Sequence, residues 1–239
     1  MPQHAPTILV TGSTRGIGAA IARQLRARGA TVIGHGRKAA PGVVGADLGE
    51  PGAAQNLWES ALALAHGRID AVVNNAGLFA DNPIDLSDNA WLDAWEETLR
   101  INLTATAQLS RAAVRHWQGG QRGGRIVHIA SRAAHRGDSP DHWHYAAAKG
   151  GMVALHKTIA RGYAHQDILS FAVSPGFVAT DMAADYLVGD GAATILGQIP
   201  LGRVASADEI AAIATFCALD APASMTGAVI DANGASHVR

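Results

Sequence analysis

The chain has 239 residues, 48% hydrophobic and 16% charged, with 27 glycines and a formal net charge of -1. That balance suits one folded domain with a large core and many strand-to-helix turns, and it excludes a disordered or fibrous chain. Near-neutrality supplies no field for nucleic acid or an anionic membrane surface, and the lone Cys217 excludes an internal disulfide and disfavours a cysteine-built zinc site.

Residues 1–6 carry no basic region leading into an apolar stretch, so no signal or span is expected and a reducing cytoplasm is the expected setting. Residues 7–11 form a short β-rich apolar run, and residues 17–28 then carry apolar side chains at helical spacing. Gly29 is the expected left-handed cap, and the apolar run 30–34 completes a βαβ crossover. Further strands are predicted at 71–74, 125–130, 170–174 and 228–231, with helices at 90–117 and 146–164 between them. Strands apolar on both faces and separated by helices imply a parallel sheet covered on both sides. Cys217 reads as a core residue of the helix after Ser206. Residues 180–199 are the least regular stretch, where Gly189, Asp190 and Gly191 interrupt a weakly helical pattern; they read either as a substrate lid or as a surface excursion. No repeat or linker divides residues 1–239, which read as a single domain.

Thr11-Gly12-Ser13-Thr14-Arg15-Gly16-Ile17-Gly18 lies between the first strand and first helix, where a dinucleotide site needs tight turning and close backbone approach to a pyrophosphate. No Gly-Lys-Ser or Gly-Lys-Thr follows, which argues against a nucleotide triphosphatase. After the second strand an acidic residue would bind a free ribose hydroxyl and repel a 2′-phosphate. This chain has His35-Gly36-Arg37-Lys38 there, and Arg37, seconded by Arg15, can offer paired donors to a phosphate. NADP(H) is therefore expected over NAD(H), the alternative being that Arg37 and Lys38 are solvated charges.

The motif set Gly12 to Gly18, Asn74-Asn75-Ala76-Gly77, Asn102, Ser131, Tyr145-Ala146-Ala147-Ala148-Lys149 and Pro175-Gly176 with Thr180 resembles the short-chain dehydrogenase/reductase family. The likeness is greatest to the branch containing 3-oxoacyl carrier-protein reductases. It implies a doubly wound Rossmann domain with a mostly or wholly parallel sheet, and hydride exchange between a nicotinamide and a carbonyl. Tyr145 is the implied acid/base, Lys149 its cationic partner and ribose contact, Ser131 a donor to the substrate oxygen, and Asn102 the support of a kinked helix and a proton-relaying water. Asp47 and Leu48 match the family's adenine contact, Asn74, Ala76 and Gly77 lie under the cofactor, and Pro175, Gly176, Val178 and Thr180 match the segment holding carboxamide and pyrophosphate. Tyrosine's ordinary pKa of about 10 is too high for efficient proton exchange, so an ammonium four residues on, together with the positive oxidised nicotinamide, is expected to acidify it.

Several features depart from the carrier-protein branch. The stretch from Arg132 to His144 is one residue longer than expected, and only Arg122 matches a carrier-docking base, the other position being Gln166. Carrier docking is accordingly disfavoured, and a small-molecule carbonyl or alcohol is the expected partner. His142 and His144 read as pocket-lining or surface-loop histidines rather than metal ligands, no metal being expected, and Trp143 as a pocket wall or packing residue. Trp91 and Trp95 read as core or interface. The family implies a homotetramer. An alcohol, sugar or steroid dehydrogenase working oxidatively is the alternative function, and a non-catalytic dinucleotide sensor the remote one.

Overall fold

A computed structural model describes residues 5–180 and 189–239. Strand β1 (Thr7–Val10) leads into helix α1 (Gly16–Ala27) and then β2 (Thr31–Gly36) and β3 (Val43–Gly45). Helix α2 (Ala53–Leu64), β4 (Ala71–Asn74), α3 (Asp88–Leu99) and α4 (Ala105–Gly119) follow. Next come β5 (Gly124–Ile129), the short α5 (Ala133–Arg136), α6 (Trp143–Tyr163), β6 (Ile168–Pro175) and β7 (Val178–Ala179). The chain closes with α7 (Gly189–Gly197), β8 (Ala205–Ser206), α8 (Ala207–Leu219) and β9 (Val229–Ala232).

Seven strands form one parallel sheet in the order β3-β2-β1-β4-β5-β6-β9, while β7 and β8 pair separately. Side chains alternate between its faces: Ile8 and Val10 enter a core shared with α1 and α8, and Leu9 enters one shared with α2 and α4. Both faces are thus buried, which is why the strands are apolar throughout. From β1 the chain builds outward through β2 and β3, then returns to the other side at β4. The crevice beyond the carboxyl ends of β1 and β4 is therefore the topological switch point, where open α/β sheets take ligands.

Four expectations need correction. The single helix 90–117 is two helices joined by a π-helical stretch, Arg100–Thr104, in which the Ala105 N–H reaches back to the Arg100 carbonyl. Helix α6 starts at Trp143, three residues ahead of the predicted start, so Tyr145 lies within it. Gly189 opens α7 instead of interrupting a helix. β3 and α2 were not anticipated: a three-residue strand has no readable period, and α2 follows Pro51-Gly52 with an alanine-rich face. Of the candidate lid, residues 181–188 lie outside the described residues.

Candidate active site

The glycine turn is clasped to its neighbours by backbone-directed bonds. Gly12 takes φ +62°, and a Cβ there would lie 2.9 Å from the Ala76 Cα. The Thr11 hydroxyl accepts the N–H groups of Asn75 and Ala76, both at 2.9 Å, and the Asn75 amide donates to the carbonyls of Thr11 at 2.9 Å and Gly12 at 3.1 Å. On the other side, Ser13 N–H donates to the His35 carbonyl at 2.8 Å, and the Ser13 hydroxyl accepts His35 N–H at 3.0 Å. His35 is a member of this turn that residue pattern did not reveal. Its Nδ1 accepts Gly12 N–H at 3.1 Å, so its proton sits on Nε2, 3.0 Å from the Ala46 carbonyl. Burial, ahead of the opposing Ala46 contact and Asp47 charge, lowers its pKa and keeps the ring neutral.

These residues fit a dinucleotide. Arg15 caps α1 without a side-chain bond and the first turn holds no acid, so the N–H groups beside Gly16 and Ile17 are open to an anion. The Thr180 side chain stands over them, its Cγ2 3.3 Å from where a Gly16 Cβ would be. Arg15, Thr14 and Arg37 are exposed, and a Cβ on Gly36 would lie 2.6 Å from Thr14 Cγ2, which brings the Arg37 strand end against the turn carrying Arg15. Among the described residues neither arginine is in an ion pair.

Other predicted cofactor residues reach this edge through backbone. Leu48 and Val178 turn their side chains into the core, and Asp47 Oδ1 accepts Gly49 N–H at 2.9 Å. The Asn74 side chain points inward, donating to Ser110 Oγ at 3.2 Å. Gly18 is buried under the turn, and Pro175 ends β6 with Gly176 packed against Asn233.

The sheet's next strand ends gather the chemical groups. Ser131 follows β5, its Oγ accepting Ala133 N–H at 3.1 Å, and its side chain lies near enough to pull down the pKa of Tyr145, one turn before Lys149 on α6. Lys149 is 4% exposed and its Nζ donates to the Ile129 carbonyl at 2.8 Å, 5.6 Å from the centre of the Tyr145 ring. Gly77 adjoins it: a Cβ there would meet Asn102 Oδ1 at 3.1 Å and Lys149 Nζ at 3.8 Å. Asn102 is buried in the π-helical stretch and ties down Leu78 twice, accepting its N–H at 2.7 Å and donating to its carbonyl at 2.8 Å. The Asn102 carbonyl accepts the Thr106 hydroxyl at 3.2 Å.

The chain's own groups do not acidify the phenol by themselves. Burial pushes the Tyr145 pKa up to about 12, outweighing the Ser131 bond that pulls it down. The Lys149 ammonium is spent on a carbonyl and lies toward the ring, and burial brings its own pKa down to about 8. Phe79 packs edge-on against the Tyr145 ring at 4.7 Å and stacks on His142 at 4.0 Å, forming a wall. His142 is bonded to Ser139 Oγ at 2.6 Å and lies 3.3 Å from Asp81 Oδ1. Trp143 is exposed, and Trp91 stacks on Trp95 at 5.2 Å. No group of three or more metal-ligating side chains occurs among the described residues.

A glycine turn at the switch point of a parallel sheet, with a Tyr-x-x-x-Lys helix across the crevice, defines a class: a dinucleotide-linked oxidoreductase. The comparisons narrow it. A family profile described as enoyl-(acyl carrier protein) reductase matches residues 12–237. The chain is 36% identical over 242 positions to the 3-oxoacyl-[acyl-carrier-protein] reductase of Salmonella typhimurium, covering 96% of each chain. It is 37% identical over 255 positions to the reductase of that name from Pseudomonas aeruginosa, covering all of both. A solved Beutenbergia cavernae protein with bound NADP, assigned as an NAD(P)-dependent gluconate 5-dehydrogenase, superposes with TM-score 0.87 at 33% identity, covering 97% of this chain and 96% of that one. An Agrobacterium tumefaciens structure with bound NADP, assigned as a 2-deoxy-D-gluconate 3-dehydrogenase, gives TM-score 0.86 at 28% identity with the same coverage, 97% and 96%. The chain belongs to the short-chain dehydrogenase/reductase family, enzymes acting on CH–OH and keto groups.

Proposed function

We propose that this enzyme exchanges hydride between NADP(H) and a ketone or secondary alcohol, working as a reductase of a ketone or 3-oxoacyl-type carbonyl with Tyr145 as proton donor. The observation that carries the reading is the gathering of Ser131, Tyr145 and the buried Lys149, one helical turn on from Tyr145, at the crevice. NADP(H) supplies the hydride when bound. Ser131 and Tyr145 converge on a point where a carbonyl oxygen can accept from both hydroxyls, a small oxyanion site. A phenol with a pKa near 12 stays protonated at neutrality, and it gives its proton downhill to an alkoxide formed in that site. Lys149 keeps a positive charge beside the phenolate that remains, and Asn102 positions the segment at Leu78 that walls the lysine.

The preference for NADP(H) rests on Arg37 at the end of β2, on Arg15 in the glycine turn, and on the NADP held by both structural neighbours. Oxidation of a sugar or alcohol is the second reading, favoured by the gluconate-type assignments of those neighbours. A carrier-bound substrate is disfavoured: Arg122 lies between α4 and β5, at the sheet edge opposite the glycine turn, and Gln166 is taken by Gln118 at 2.9 Å. The chain is proposed to act as one domain in a reducing cytoplasm. No described helix is long and apolar enough to cross a membrane. Ile84, Leu92 and Trp143, 67%, 48% and 55% exposed, give an apolar face for a homotetramer, which light scattering at micromolar concentration tests.

Oxidation of NADPH with a panel of ketones, in wild type and Tyr145→Phe, tests the core of the proposal. The variant is expected to lose ~10³-fold in kcat while binding NADPH within about threefold. Equal, measurable rates in the two proteins would sink the catalytic role of Tyr145, and no oxidation by either would return the chain to the non-catalytic sensor reading.

A further inference from the structure

Arg132 directly follows Ser131, is 6% exposed, and its Nη1 is buried without a hydrogen-bond partner. Its position is fixed from two sides. The backbone N–H donates to the Pro175 carbonyl at 2.9 Å, and the guanidinium carbon stands 5.2 Å from the centre of the Phe177 ring. The guanidinium is thus held between the exits of β5 and β6, the same two segments that flank the Ser131–Tyr145 pair.

Among the described residues no carboxylate forms an ion pair with this charge. Burial and the repulsion of Arg136 lower its pKa, and Asp138 works in the opposite direction. Arg136 and Asp138 are both exposed, and neither forms an ion pair with it. Arginine does not give up its proton near neutrality, so the cation stays buried with an unused donor. Such a group is costly, and a hydrocarbon of similar volume is often as stable or more so. Stability therefore gives no reason for Arg132, whereas an arriving anion does.

We infer that Arg132 seats a carboxylate of the substrate, so that the reductase acts on an oxo acid, or in reverse on the corresponding hydroxy acid. The inference rests on the hydride-transfer reading above and names its substrate class. A guanidinium fork matches a carboxylate with two parallel hydrogen bonds. One buried positive charge balances one negative charge, and Asp138 adds repulsion against a dianionic phosphate. Because Arg132 adjoins Ser131 in the chain, the carboxylate and the reacting carbonyl sit on one small molecule, separated by a few bonds. A neutral ester or thioester at this point would leave Nη1 unpaired and so be rejected.

The test compares acetoacetate and other short oxo acids with their methyl esters, using NADPH and wild type, Arg132→Lys and Arg132→Met. Wild type is expected to prefer acid to ester by at least ~50-fold in kcat/KM, a ratio that falls to about one in Arg132→Met and is partly kept in Arg132→Lys. A second arm needs no turnover: NADPH-loaded protein is titrated calorimetrically with 3-methylbutanoate and 3-methylbutanamide, unreactive stand-ins. The carboxylate is expected to bind wild type at least ~30-fold more tightly than Arg132→Met, and more tightly than the amide. Equal carboxylate binding by wild type and Arg132→Met overturns the proposal, as does an acid-to-ester ratio near one in wild type. Tighter binding of inorganic phosphate than of the carboxylate overturns the class, and a tenfold loss of NADPH affinity in Arg132→Met assigns the guanidinium to the cofactor instead. If wild type reduces no carbonyl yet binds the carboxylate through Arg132, the anion seat stands and the hydride-transfer reading falls.

Discussion

The two walls of the crevice are built from different materials. The wall from β1, β2 and β4 is backbone clasped by inward-turned polar side chains, so that it presents peptide groups to the crevice: the Thr11 hydroxyl and the Asn75 amide tie the glycine turn to the β4 exit, and the His35 ring ties it to β2. The opposite wall, from β5, α6 and β6, is side chain: Tyr145, Lys149, Phe79, His142 and Arg132. The first kind of wall suits what is invariant in a dinucleotide, its pyrophosphate and ribose, because peptide groups cannot be exchanged by mutation. The second suits what differs among substrates. One consequence is that damage to the first wall reads out as stability and cofactor binding together, while damage to the second reads out in turnover and substrate binding.

Gly18→Val breaks the contrast most severely if it is wrong. A Cβ at Gly18 would lie 2.1 Å from the Gly12 carbonyl oxygen, so the turn must move or the helix must detach. The variant is expected to lose at least ~4 kcal/mol in urea unfolding, with NADPH binding lost alongside. Tyr145→Phe on the other wall, which gives up only the Ser131 bond, is expected to stay within ~1 kcal/mol of wild type. Arg37→Ala sharpens the contrast at intermediate size, since it is a side chain set on the backbone wall. Its NADPH dissociation constant should rise ~30-fold and that for NADH by less than about threefold, measured by quenching of tryptophan fluorescence. Equal losses for both nucleotides would mean that Arg37 supports the turn and not a phosphate.

The same division governs what could be read from the residues alone. The glycine turn, the first βαβ crossover and the four-residue spacing of Tyr145 and Lys149 are local patterns, and each lies where its spacing implied. What escaped notice depends on contacts between distant segments. His35 as a partner of Gly12 needs the β1–β2 register to be known, and Arg132 as an orphaned charge needs its burial against Phe177. The break at Arg100–Thr104 is where the family likeness implied a kink at Asn102, whereas apolar spacing alone read one helix from 90 to 117. The tyrosine was expected to be acidified because spacing gives the lysine's neighbourhood but not its aim, and Lys149 is aimed at Ile129.

Between the walls, β5 carries a buried histidine whose expected effect is the smallest of these and has a definite sign. His128 is fully buried, its Nδ1 is 3.5 Å from the Asn74 amide, and its Nε2 has no partner. Burial, then repulsion from His156 and Lys149, lowers its pKa to about 3. The unfolded chain takes up this proton near the ordinary histidine value of about 6.5 and the folded chain refuses it. Stability from His128 is therefore complete above about 6.5 and is lost as pH falls from there toward about 3. At pH 5.5 the loss amounts to about 1.4 kcal/mol for one proton. His128→Leu removes that proton, so the stability difference between pH 7.5 and 5.5 in urea unfolding should shrink by about this amount. It should not vanish, because burial also lowers the pKa values of His35 and His156. An unchanged difference would mean that His128 accepts a proton inside the fold, next to Lys149, and that the seam between the walls is wetter than its packing implies.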